Sequence, residues 1–415
     1  MIDITAIWGQ WLKPSAGLPT VQWSLLLALA AAAGHLVQSR MALPKVVGYA
    51  GVGVGAGFAG FSGMDWPLQG VGLFLLELGV SLVLFETGGR IALRWFRHNP
   101  MVLLQSLFEA ALTYALVYAA LRWLEVRESI ADALALVAIV SSPSVLNRVA
   151  TDLRAAGPVT ERTLVLATLG ALYAMALVAA RVGMLQREET NWVELLLPIA
   201  VVLGLSVLVA MAMAVVLRLA LYVMSPNSEN TSVLLVTTIA AGIAIASYLG
   251  GSAPLAALLA GLLLKQLHSR PWALARQLGA ASSVLVMLTF VLVGVVAAQA
   301  GWDPFLASAV VALVVARGLA KVLGVTAANH GSGMRWHQAV LTGWAMTPMS
   351  SLALLLVSQF ASASVTLGPR IAAIALPAIL LLEVLGAIVA TLVIHLARET
   401  SRGDARTVVT EAQDG

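Results

Sequence analysis

Two stretches, Ser141-Ser142-Pro143-Ser144 and Thr347-Pro348-Met349-Ser350-Ser351, read alike, and each interrupts a long apolar run, about 129–149 and about 336–360. Proline inside a helix removes one backbone donor and frees the carbonyl a turn earlier, a defect of roughly 3 kcal/mol in water that must be repaired internally where no water reaches. Neighbouring Ser and Thr hydroxyls can make that repair, so a single stretch of this kind reads as a kinked helix. Two at matching places in one chain read as a pair of interrupted helices, whose free carbonyls and half-helix ends can coordinate an ion.

The places match because the chain echoes itself at an offset of about 205–210 residues. Leu43-Pro44 leads into Val46-Val47-Gly48-Tyr49-Ala50-Gly51, and Ala253-Pro254 leads into Leu255-Ala256-Ala257-Leu258-Leu259-Ala260-Gly261. Leu84-Phe85-Glu86-Thr87-Gly88 has a looser echo in Val291-Leu292-Val293-Gly294. The offset spans seven helices, an odd number, so the second copy enters the membrane upside down. That is the inverted-repeat plan of secondary transporters.

Composition agrees. Of 415 residues 60% are hydrophobic, 11% are charged and none is cysteine. A soluble protein carries ~25% charged residues, and this chain would leave large apolar patches in water. Runs such as Leu25-Leu26-Leu27-Ala28-Leu29-Ala30 do not alternate in polarity, which excludes a transmembrane β-barrel. The expected fold is all-α and polytopic, with about thirteen spans: roughly 20–38, 41–61, 67–87, 100–123, 129–149, 160–183, 191–218, 230–249, 252–267, 279–300, 303–328, 336–360 and 370–396. Placing the N-terminus outside puts Arg40, Lys45, Arg90, Arg94, Arg97, Arg148, Arg154, Arg162, Arg218, Lys265, Arg270, Arg276, Arg335, Arg398, Arg402 and Arg406 on the cytoplasmic side. Only Lys13, Arg122, Arg127, Arg181, Arg187 and Arg370 are left outside, which orients the chain N-out and C-in. The expected organisation is a short extracytoplasmic N-terminus (1–19), without the basic region of a cleavable signal, a transmembrane domain (20–397) and a short polar cytoplasmic tail (398–415).

The ordered motifs Leu43-Pro44-x-Val46-Val47-Gly48-Tyr49, Glu77 to Gly89, Ser141 to Val145 and Gly250-Gly251-Ser252-Ala253-Pro254 to Leu262 resemble those of the monovalent cation:proton antiporter superfamily, the sodium/hydrogen exchanger fold. The resemblance covers nearly the whole chain. It implies a homodimer in a bacterial inner membrane, with a dimerisation domain and a six-helix transport core that moves as an elevator around two crossed broken helices, those of Pro143 and Pro348. It also implies monovalent cations and protons as substrates, and neither a cofactor nor an enzymatic activity.

The departures are equally specific. Where the family usually has Thr-Asp in the first broken helix, this chain has Pro143-Ser144, and where the next helix usually carries Asn-Asp or Asp-Asp, it reads Ala167-Thr168-Leu169-Gly170. A cation shedding its water needs oxygen ligands, and exchange with protons needs a group that titrates. Charges at mid-membrane are costly and face the interior of a bundle, so each is a candidate. Glu77, Glu109 and Glu383 fall near the middle of the third, fourth and thirteenth spans, and Arg317 near the middle of the eleventh, with Lys321 one turn on along the same face. For Glu77 and Arg317 the plainer reading is a salt bridge clamping helices. For Glu109 and Glu383 a structural and a proton-carrying role are both open. Arg317 is expected to pair with one of the three carboxylates, because a guanidinium stays charged at any depth. Around them Ser141, Ser142, Ser144, Thr347, Ser350 and Ser351 offer hydroxyls.

Other features read more plainly. Glu86 sits one turn from Arg90 at a helix end, as a solvated pair. His35, His98, His268, His330, His337 and His395 fall in loops or span ends, and Trp66, Trp95, Trp123, Trp192, Trp302 and Trp336 form an interfacial belt. The glycines from Gly48 to Gly60 read as close helix packing, since no Lys-Ser/Thr follows to make a phosphate loop. Neither nucleic acid nor a metal is expected. The functions consistent with the residues are exchange of a monovalent cation, sodium or potassium, for protons at an atypical site; an uncoupled or solute-altered carrier; and a non-transporting membrane scaffold.

Overall fold

The computed structural model describes residues 18–41, 43–61, 70–91, 96, 99–185, 192–224, 229–267, 279–298 and 303–400. Of the residues named above, Lys13, Trp66, Arg94, Trp95, Arg97, His98, Arg187, His268, Arg270, Arg276, Trp302, Arg402 and Arg406 lie outside them. The elements are helices: α1 (Leu18–Met41), α2 (Lys45–Phe58), α3 (Gly70–Arg90), α4 (Pro100–Trp123), α5 (Glu128–Ala138), α6 (Pro143–Leu153), α7 (Pro158–Leu185), α8 (Trp192–Val223), α9 (Glu229–Leu249), α10 (Ala253–Leu267), α11 (Gly279–Ala298), α12 (Pro304–Ala327), α13 (Trp336–Ala345), α14 (Ser351–Ala363) and α15 (Gly368–Leu396). Among the described residues nine stretches are long and apolar enough to cross a membrane, and one of them, Glu128–Leu153, is the interrupted pair α5–α6. Against the thirteen spans expected, α10, α14 and Val284–Ala298 of α11 are apolar but shorter.

Both expected interruptions are present. Helix α5 stops at Ala138 and α6 restarts at Pro143, whose fixed φ and missing N–H suit a first helical position; Ser142 caps it by accepting from the Val145 N–H at 3.4 Å. Helix α13 stops at Ala345 and α14 restarts at Ser351. The breaks cross. The Ser142 N–H donates to the Pro348 carbonyl (2.9 Å), and the Ser141 hydroxyl donates to the Met346 carbonyl (2.8 Å). The Ser144 and Ser351 hydroxyls meet at 3.3 Å. Ser141 and Met346 are 205 residues apart and Ser144 and Ser351 are 207, so positions related by the repeat touch each other. That is the geometry of a pseudo-two-fold axis through the crossing.

A second set of contacts obeys the same axis. Helix α2 lies on α11 at Gly53 and Gly294, and α3 lies on α10 at Gly88 and Gly261. A methyl at Gly53 would run into the Val291 carbonyl and one at Gly261 into the Phe85 carbonyl; at Gly294 it would meet the Ala50 carbonyl and at Gly88 the Leu258 carbonyl. Each contact is the other's image at the repeat offset. Small residues are what let two apolar helices approach closely where hydrophobicity gives no preference for helix over lipid.

Around the crossing, α4, α5, α7, α12, α14 and α15 share one apolar core, with α3 along its side. Helices α3, α8, α9 and α10 form a second, and α1, α2 and α11 a third that takes in residues of α6 and α15.

A candidate ion site at the helix crossing

A half-helix ending inside a membrane leaves carbonyls without partners and a partial negative charge. Here two such ends face each other, and α12 supplies cations to both. The Arg317 guanidinium, fully buried, donates from Nε to the Ala138 carbonyl (3.0 Å), from Nη2 to Val140 (2.6 Å) and from Nη1 to Thr347 (2.6 Å), with longer contacts to Met346 and Pro348. One turn on, Lys321 Nζ donates to the Ile139 carbonyl (2.6 Å) and is paired with Glu109 Oε1 (2.6 Å). Thr113 donates to the same carboxylate oxygen at 2.9 Å.

This corrects the expectation that Arg317 pairs with a carboxylate. Among the described residues its partners are carbonyls, and Lys321 takes Glu109. The planar fork of arginine spans several carbonyls at once, whereas the compact ammonium suits one carbonyl and one carboxylate oxygen.

Glu383, 1% exposed, stands elsewhere. Its Oε1 accepts from the Ser350 hydroxyl at 2.9 Å, at the residue just before α14 begins. Ser142 caps its half-helix, but Ser350 makes no side-chain cap, because its hydroxyl is turned to Glu383. The carboxylate therefore lies beside the N-terminal end of a half-helix, where the partial charge is positive. No cation comes within 4.0 Å of it among the described residues. Among the described residues, Oε2 of Glu383 and Oε2 of Glu109 are both buried without a hydrogen-bond partner.

Two glycines set these distances. Gly324 lets α12 press against the backbone of α4 at Glu109, and Gly386 lets α15 pass against Pro348. With a methyl at either position the helices would separate and the carboxylate behind would lose its reach.

Glu77 is half-buried on α3 and accepts from Ser247 at 3.4 Å, away from the crossing. Glu86 and Arg90 pair at 2.6 Å at the end of α3. His35, His330, His337 and His395 are exposed. Several polar links were not anticipated. Asp132 of α5 binds Arg181 of α7 and accepts from Tyr114 of α4 (2.8 Å) beside a cavity of about 490 Å3. Buried Arg162 donates to the Ser332 carbonyl (2.9 Å) and to Gln105 (3.4 Å). Glu399 accepts from the N–H groups of Val159 and Thr160, both at 2.8 Å, capping α7 from beyond α15. The signal for the last was present in the sequence, since α7 opens on Pro158 without an acidic or hydroxyl residue before it.

Two cavities flank the crossing. One of about 370 Å3 is lined by Thr87 and Arg90 of α3, Ala150 of α6, and Thr160, Glu161 and Leu164 of α7. Another of about 250 Å3 lies toward the opposite end of α3, between Leu73 and Glu77 on one side and Val182 of α7 with Leu355, Ser358 and Gln359 of α14 on the other. Each has α3 as one wall and α7 with half of a broken helix as the other.

No curated protein matches the chain in sequence. Among solved structures it is similar to the sodium proton antiporter MjNhaP1 from Methanocaldococcus jannaschii at pH 8, with a TM-score of 0.64 and 14% identity over 91% of this chain and 98% of that one. An electron-microscopy structure of the same antiporter gives 0.67 and 13%, over 92% and 96%. At such identities the likeness is one of fold. The family described as sodium/hydrogen exchanger, transmembrane, matches residues 25–395, nearly the whole membrane part and both broken helices, and the chain belongs to that family.

Proposed function

We propose that this protein exchanges a monovalent cation, sodium or potassium, for protons across the membrane, and that Glu383 is the group that carries them in turn. The observation that carries the reading is the setting of that side chain: a buried carboxylate at a half-helix N-terminus, held by one serine hydroxyl, with its second oxygen unbonded among the described residues. Family membership supports cation:proton exchange, and the solved antiporter of like fold is named for sodium and protons.

A carboxylate in a low-dielectric site must be neutralised by a proton or by a cation, and one group cannot hold both. Competition at Glu383 would make the two fluxes exclude each other, which is exchange. The hydroxyls of Ser350, Ser351, Ser144 and Ser142 are the neutral oxygens at hand for an ion shedding water. Arg317 and Lys321 hold the carbonyl ends of both breaks, so the crossing keeps its shape whether or not an ion is bound. Glu109 is already neutralised by Lys321 and serves as part of that frame.

The positive charge bias supports an N-out, C-in orientation, with 1–19 outside, 20–397 as the transport domain and 398–415 inside, and the motif resemblance implies a bacterial inner membrane. The motif resemblance also implies a homodimer with an elevator-like core, and both are part of this proposal. The test is flux in proteoliposomes with an imposed pH gradient, across sodium, potassium and lithium, for the wild type and Glu383→Gln. Cation-dependent proton movement in the wild type alone supports the reading. Cation flux insensitive to pH indicates an uncoupled carrier, and no flux at all a scaffold.

A further inference from the structure

We propose that Glu77 is the entry site for the cation on the extracytoplasmic side, a carboxylate that meets the ion before Glu383 does. This rests on the exchange reading and on the N-out orientation above, which puts the start of α3 outside.

Glu77 lies about two turns, or ~10 Å, into α3. A carboxylate at that depth is costly unless a counter-charge or water reaches it. Its hydrogen bond is the long one from Ser247, and among the described residues no cation stands within 4.0 Å. The cavity of about 250 Å3 beside it has room for several waters, each of which takes ~30 Å3 in the liquid. Across that cavity α14 presents Ser358, Gln359 and Ser362, oxygen ligands without charge. Ser358 is two turns along α14 from Ser351 at the crossing, ~10 Å, so the cavity and the proposed exchange site share this half-helix.

Helix α3 itself supplies the control. Near its other end it carries a second carboxylate, Glu86, and there Arg90, which lines the other cavity, neutralises it at 2.6 Å. One end of α3 is thus charge-balanced, and the other presents an unbalanced acid to a cavity. That asymmetry makes Glu77 a recruiter of cations from one side of the membrane.

The experiment compares wild type, Glu77→Gln and Glu77→Asp in oriented proteoliposomes, with sodium or potassium titrated from each face in turn. For Glu77→Gln the KM at the extracytoplasmic face should rise about tenfold, the loss of one charged contact, while the cytoplasmic KM and kcat stay at wild-type values; Asp should restore part of the loss. A second readout uses wild-type protein only: dicyclohexylcarbodiimide should modify Glu77, and sodium or potassium should protect it, as read by peptide mass. An unchanged extracytoplasmic KM in a variant whose wild type exchanges overturns the entry site and leaves the exchange reading standing. If the variant does not fold, labelling that no alkali cation slows overturns it instead. A wild type that moves no alkali cation overturns both.

Discussion

Glu109 and Glu383 are chemically the same group, both buried and each with one oxygen unbonded among the described residues, yet their neighbours give them opposite characters. Glu109 faces the side of the crossing where two half-helices end, and the cation sent to those carbonyls also closes on it at 2.6 Å. Glu383 faces the side where a half-helix begins, and there its partner is a hydroxyl. A half-helix C-terminus recruits protein cations and so consumes a nearby acid, whereas an N-terminus stabilises an acid without neutralising it. Charge at a broken helix is therefore sorted by which end it meets.

The contrast breaks most simply at Glu383. Glu383→Gln keeps shape and removes titration, and pH-driven cation flux should fall by at least about 100-fold, with the protein still monodisperse in detergent. The double variant Glu109→Gln/Lys321→Met should retain flux; if it loses flux while Glu383→Gln keeps it, the assignment of the two acids is reversed.

Stability sharpens the contrast next. Lys321→Met alone strands a buried carboxylate, a loss of about 3–5 kcal/mol, visible as a lowered unfolding temperature in detergent. Adding Glu109→Gln should recover most of that loss, and a double variant no better than the single would mean that the lysine matters through the Ile139 carbonyl.

A smaller effect separates the sites by their glycines. Gly324→Ala pushes α12 from Glu109 and Gly386→Ala pushes α15 from Pro348, each costing about 1–3 kcal/mol by overpacking. Only Gly386→Ala should also raise the KM for the cation, since only it displaces the helix that bears Glu383. Equal KM values in the two variants would count against the proposed site.

The least change is expected at the hydroxyls. Thr113→Val and Ser350→Ala each remove one hydrogen bond to a carboxylate, about 1–3 kcal/mol. Thr113→Val should shift unfolding and leave flux alone, while Ser350→Ala should change the pH at which flux is half-maximal. A pH profile that moves with Thr113 and not with Ser350 would contradict the division.

Much of this architecture could be read without coordinates. Proline beside hydroxyls at one recurring offset marks α5–α6 and α13–α14, because only a repaired break tolerates that composition in an apolar run. An odd number of spans between copies implies inversion, and acids or bases in mid-span are conspicuous against 11% charge. Partnership was a different matter. Arg317 and Lys321 share a helix face one turn apart, and the sequence offers both the same carbonyls and the same acids. Which cation takes which depends on Gly324 bringing α12 onto Glu109 and on Arg317 standing level with the ends of α5 and α13, distances set by helices far apart in the chain. Periodicity and composition determined that this protein crosses the membrane repeatedly, in two inverted copies, around two broken helices, since these depend on local backbone chemistry and on apolar length. The tertiary structure alone decided that Lys321 neutralises Glu109 and that Glu383 meets a serine hydroxyl and, among the described residues, no cation, because a charge is satisfied by what lies within a few ångströms and not by what lies near it in sequence.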